Sequence, residues 1–184
     1  MATTARPNPL PPDVNIGPIL VGVSYGFIFP TVFTACLRLW VRFREKLLGA
    51  DDYTIAISTL LSIVLSALSI EGVHYGKGRH VWYLTNADNV KQINKLSWIN
   101  QIVLFVCICL IKISICLLFL RIKNTKRLRW FLYALMAGLI ITNLECIIVL
   151  LIECKPVYAF WDRSKGHCRN PAIRIYSIYV QACK

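Results

Sequence analysis

Charge is scarce in this chain. Only 16% of its 184 residues are Asp, Glu, Lys or Arg, where a soluble domain averages about 25%. The scarcity is uneven. No charged residue falls within Val14–Leu37, Tyr53–Ile70, Leu96–Ile111 or Trp130–Leu144, and the last run continues past Glu145 to Ile152. A soluble core helix keeps a polar face and an apolar run of roughly 10–14 residues, whereas crossing a bilayer takes about 20 mostly apolar residues. The runs therefore exclude a soluble fold. They predict an all-α, polytopic transmembrane bundle with spans near 16–41, 53–75, 96–120 and 130–153.

Other absences narrow the class. The tail, residues 1–15, is polar and Pro-rich and has no basic stretch before a short apolar core, so no cleavable signal is expected. The first span should act as an uncleaved anchor, and residues 16–184 form the membrane domain. Ile175–Cys183 is apolar but too short to cross, and it reads as the start of a fifth helix that is cut off. There is no Asn-x-Ser/Thr acceptor, no internal repeat and no soluble domain. No Ser/His/Asp, Cys/His or paired metal-ligand arrangement stands out, so neither an enzyme nor a cofactor or metal is expected. Gly76-Lys77-Gly78-Arg79-His80 lacks the strand and the Gly-Lys-Ser/Thr of a phosphate loop and reads as a turn.

What charge there is lies between the runs. The formal net charge is +12, with Lys and Arg gathered in stretches such as Arg42–Lys46 and Arg121–Arg129. That pattern marks membrane topology and anionic headgroups, not nucleic acid. The first and third loops are short and dense in basic residues. They are expected on the cytoplasmic side, with the N-terminus and the second and fourth loops outside, in the plasma membrane. Asp51-Asp52 after Gly49 suits the positive end of a helix dipole, a simpler reading than an acid–base pair.

Cys36, Cys107, Cys109, Cys116 and Cys146 fall within spans, with Cys183 in the cut-off fifth helix, and all read as small packing residues. Cys154 and Cys168 share the fourth loop, where an oxidising compartment lets them pair. Closing that loop stabilises by about 3 kcal/mol in the chain-entropy account. His167 alone does not complete a zinc site. Lys112 interrupts the third span. It either snorkels to the headgroups or pairs with Glu145 in the antiparallel fourth span, the candidate polar site. Counted from the inner boundary at 1.5 Å per residue, the two lie about 13 Å and 22 Å deep.

An ordered set of motifs resembles the fungal rhodopsin-domain integral membrane proteins, a seven-span, receptor-like family with members beside secondary-metabolite clusters. The set runs from Gly49 with Asp51-Asp52, through Gly76, Gly78 and His80, to Lys112-Ile-Ser114-Ile115. It continues with Phe119-Leu-Arg121-Ile122 and ends at Cys154-Lys-Pro156, Trp161-Asp162 and Cys168. Phe119 stands where the family usually has Tyr, and Tyr53 where Trp is common. The resemblance implies three more spans and a cytoplasmic tail beyond this sequence. It also implies ligand sensing or signalling in the full-length form, with an extracellular ligand and a cytoplasmic signalling partner. Retinal is not implied, because its lysine would be expected in the seventh span. A transporter or channel-like subunit, with Lys112, Asn143 and Glu145 lining a polar path, is the competing class. It predicts repeated spans. A truncated fragment without function is the third reading.

Overall fold

A computed structural model describes residues 12–84, 86–122, 125–162, 166–169 and 172–182. Residues 1–11 of the tail and Cys183 lie outside the described residues. Among the described residues, four helices are long and apolar enough to cross a membrane: α1 (Gly17–Arg44), α2 (Ala50–His74), α3 (Ala87–Ile122) and α4 (Lys126–Ile152). A fifth, α5, covers Ala172–Ala182. Consecutive helices pack side by side, with α3 between α2 and α4.

The boundaries differ from the expected spans where polar residues extend a helix beyond the apolar run. α3 begins at Ala87 instead of near Leu96, and its polar first turns are held by an ion pair from Lys91 to Asp162, 3.3 Å. Its 36 residues make about 54 Å, well beyond the ~30 Å hydrocarbon thickness. α4 starts at Lys126 and α1 runs on to Arg44 for the same reason. Pro30 leaves the carbonyl of Gly26 without its usual N–H donor, yet α1 runs unbroken through it.

Helices α1 and α2 end alike. Gly76 adopts φ +101°, its N–H bonds to Val73 O, and the N–H of Lys77 reaches Gly72 O. Lys46 takes the same left-handed position after α1 at φ 52°. The N–H groups of Lys46 and Leu47 bond there to Phe43 O and Arg42 O. These bonds satisfy carbonyls that a helix end leaves orphaned.

The interior is small and lies around α3. Phe105, Cys146 and Leu150 are buried together, with Trp98, Ile102 and Ile147 packed on them. The thiol of Cys107 donates to Ser58 O at 3.5 Å, and that of Cys109 reaches Leu139 O at 3.9 Å. Both act as compact packing residues between helices. Most large apolar side chains point outward, among them Phe27, Phe29, Phe33, Trp130 and Ile141. Such a surface is stable against lipid and not against water.

Past α4 the chain forms a two-stranded antiparallel pair, β1 (Cys154–Lys155) and β2 (His167–Cys168), with Cys154 opposite Cys168. The two cysteines are joined in a disulfide. A short 3-10 turn, Val157–Phe160, fills the loop.

Candidate functional site

Helix α1 carries one charge inside its expected span, Arg38. Helix α2 opens with two, Asp51 and Asp52. The structure brings these three together with Arg121 from the end of α3. Arg38 Nη2 meets Asp51 Oδ2 at 2.9 Å, and Arg38 Nε meets Asp52 Oδ1 at 3.2 Å. Arg121 approaches from the other side, its Nη1 at 3.5 Å from Asp51 Oδ1 and 3.7 Å from Asp52 Oδ2. Its Nη2 donates to the carbonyl of Leu47 at 2.5 Å. Two cations thus balance two carboxylates, which are 4% and 0% exposed.

The local sequence builds this arrangement. Gly49 lies extended before α2, and its N–H donates to Asp52 Oδ2 at 3.1 Å. Asp52 therefore caps its own helix while it meets the arginines. A side chain at Gly49 would place Cβ 2.5 Å from Asp51 Oδ1 and 3.1 Å from Arg121 Nη1, so the loop requires glycine for close approach. Ser114 Oγ donates to Asp51 O at 3.0 Å and ties the last third of α3 to the same turn. Three helices are cross-linked at one end of the bundle. Buried carboxylates are stable only when so compensated.

The opposite end is closed differently. Trp98 of α3 packs on Phe160, with ring centroids 6.5 Å apart, and edge-on against Trp161 at 6.0 Å. Lys91 adds the ion pair to Asp162. The disulfide-closed loop thus rests on α3. Gly166 fits beneath it where a Cβ would lie 2.8 Å from Ala159 Cβ. The segment before α1 docks at this end too. Ile16 N–H bonds to Gly78 O at 3.1 Å, and Asp13 lies 3.6 Å from Arg79. The Gly76–His80 stretch is a turn leaving α2, as its sequence suggests.

Lys112 and Glu145 are not brought within ion-pair distance among the described residues. Lys112 is half-buried and Glu145 is exposed. The reason is helical phase. The buried face of α4 carries Leu132, Asn143, Cys146 and Leu150. Glu145 lies about 100° round the helix from Cys146 and about 160° from Asn143. A path through Lys112, Asn143 and Glu145 finds no common face. Among the described residues no group of three or more His, Cys, Asp or Glu is placed to hold a metal. Sequence reading missed Arg38 and Arg121 as partners of the paired aspartates. The available signal was a charge of opposite sign inside the first span, close to its C-terminal end.

Comparison with known proteins covers both ends of the bundle. The fungal rhodopsin domain matches residues 37–182, a stretch that holds the charge cluster and the disulfide-closed loop. Receptor GIN3 of Arthrobotrys oligospora is 26% identical over 187 residues, covering 96% of this chain and 45% of that protein. The chain thus spans about half the length of that relative. No solved structure matches. With four membrane-crossing helices and a domain match over most of its length, the chain is a multi-pass membrane protein that belongs to the receptor-like fungal rhodopsin-domain family.

Proposed function

We propose that the chain is the membrane-embedded part of a ligand-sensing receptor of the plasma membrane. In this reading the N-terminus and the disulfide-closed loop lie outside, and the charge cluster lies on the cytoplasmic side. The observation that carries it is that one helix, α3, is held at both ends by contacts of different kinds. Outside, Trp98 and Lys91 bind it to the loop. Inside, Arg121 and Ser114 bind it to the start of α2. A ligand bearing on the loop pulls on α3, and the displacement is felt at Arg121, whose contacts with the carboxylates are the longest in the cluster. Arg38 keeps Asp51 and Asp52 compensated when Arg121 leaves, so release strands no unpaired buried carboxylate. The receptor name of the relative supports the same class. The density of Lys and Arg in the first and third loops supports the orientation.

Two measurements test this. Single cysteines at Ala87 and Thr125, in a Cys-depleted background, report sidedness on intact cells. An impermeant reagent should label position 87 and spare 125, and the reverse would overturn the orientation. For coupling, an environment-sensitive fluorophore at position 125 is compared with the Cys154–Cys168 bridge intact and with both cysteines changed to Ser. A shifted spectrum on opening the loop is expected. An unchanged spectrum would mean that the two ends are independent.

A further inference from the structure

We propose that the end of the bundle holding the charge cluster is a binding site for the headgroup of a multiply phosphorylated inositol lipid. The site is formed by the α1–α2 loop and the first turn of α4, on either side of Arg121. Three observations carry this beyond a general preference for anionic membranes.

The first is charge that remains after the cluster is balanced. Asp51 and Asp52 are buried and paired with Arg38 and Arg121, so they do not offset the surrounding cations. Arg44, Lys46, Lys126, Arg127 and Arg129 are exposed there, opposed by the exposed carboxylate of Glu45. The bond from Arg121 to Leu47 O joins the α1–α2 loop to the end of α3. α4 begins only four positions after α3 ends, which brings the cations of both loops to one end.

The second is depth. Trp40 and Trp130 are 59% and 80% exposed and stand beside these cations. The guanidinium of Arg44 lies 5.4 Å from the centre of the Trp40 ring. Exposed tryptophans mark the level of the headgroups, so the cations sit where lipid phosphates are. An acidic protein binding further out would have no use for the tryptophans.

The third is Lys46. Helices α1 and α2 end in the same hydrogen-bonded motif, which needs a residue in the left-handed region. α2 uses Gly76 there, the residue that adopts it freely, whereas α1 uses Lys46 at φ 52°. A lysine standing where glycine fits better speaks for a task of its side chain. Clusters of 4–8 basic residues beside a span are the general form of such lipid sites.

Lys46 also separates function from folding. In detergent, binding of dioctanoyl phosphatidylinositol bisphosphate is measured by native mass spectrometry. Dioctanoyl phosphatidylserine, free inositol trisphosphate and a short polyglutamate peptide serve as comparators. The inositol lipid should be retained at least tenfold more tightly than each comparator. Lys46→Gly and Lys46→Asn should weaken it about fivefold, and Lys46→Arg should restore it. Lys46→Gly should meanwhile raise the melting temperature by about 2–4 °C, which a damaged fold cannot do. Lys95→Gln, at the other end of the bundle, should bind as the parent does. Equal retention of phosphatidylserine, or unchanged binding in both uncharged Lys46 variants, overturns the proposal. Inositol trisphosphate held as tightly as the lipid assigns the site to a soluble phosphate and overturns it too. So does tighter binding of the acidic peptide.

Discussion

Replacing Arg38 by Met removes the cation that makes the two shortest contacts with the buried carboxylates, 2.9 and 3.2 Å. At an effective dielectric of ~20, each contact has a gross attraction of about 5 kcal/mol. Desolvation offsets much of that in the intact cluster. The substitution, however, leaves Asp51 and Asp52 buried with only Arg121 for company. Breaking a buried pair from one side costs about 3–5 kcal/mol. The remaining arginine places the expected loss at the lower end, about 3 kcal/mol. Arg121→Met should cost less, about 1–2 kcal/mol, because its carboxylate contacts are 3.5 and 3.7 Å and exceed good hydrogen-bond length. Asp52→Asn leaves an extra positive charge but keeps an oxygen to cap Gly49. Combined with Arg38→Met it restores one anion facing one cation, so the double variant should recover part of the loss. A coupling of about 2 kcal/mol is expected, within the range for residues of one network. Unfolding in detergent micelles titrated with sodium dodecyl sulfate measures it. If the two losses add within 0.5 kcal/mol, a threshold set by ordinary additivity, the cluster is not an energetic unit and the reasoning fails.

Three further outcomes follow from the geometry. Gly49→Ala should destabilise by about 1–3 kcal/mol, since its Cβ would overlap Asp51 Oδ1. Gly22→Ala and Gly26→Ala, which open onto free space, should be neutral or favourable in the same unfolding assay. Cys154→Ser and Cys168→Ser should each lower stability by about 3 kcal/mol, and the double change by no more than either alone, because one substitution already opens the loop. Two alkylated thiols at these positions in non-reduced protein, read by mass analysis, would contradict the bridge. Lys112→Met and Glu145→Leu should act additively within about 0.3–0.5 kcal/mol, since α4 turns Glu145 away from its buried face. A larger coupling in a double-mutant cycle would show the pair closing in the membrane.

Much of the fold was legible because the bilayer imposes a one-dimensional rule. Charge-free runs gave the number of crossing helices, and Asp51-Asp52 after Gly49 marked the start of α2. Spacing within one loop sufficed for the disulfide, because Cys154 and Cys168 are near neighbours in sequence. The early start of α3 was hidden for a complementary reason. Ala87–Lys95 is polar, so it carries no span signal, and the ion pair from Lys91 to Asp162 that holds it to the fourth loop is not visible in the local sequence.

The charge cluster and the Lys112–Glu145 pair show where one-dimensional reading stops. Sequence supplies depth, by counting residues from a boundary, but it does not supply the direction a helix face takes towards its neighbours. Lys112 and Glu145 are at reachable depths, yet the phase of α4 separates them. Arg38 also lies inside the first expected span, near its C-terminal end, and Asp51 and Asp52 stand just before the second expected span at the same end. Depth and opposite sign were both readable there. What was missing was that α1 turns Arg38 towards α2, together with Ala35, which is buried in α1. Arg121 was harder still, since 70 positions separate it from Asp51, and no local spacing rule spans that distance. The scarcity of charge nevertheless helps. In a chain this poor in charged residues, each one placed within or at the edge of hydrocarbon needs a partner. Matching depth narrows the candidates to a few, and helix phase then selects among them. By that test Arg38 with Asp51 and Asp52 passes, and Lys112 with Glu145 does not.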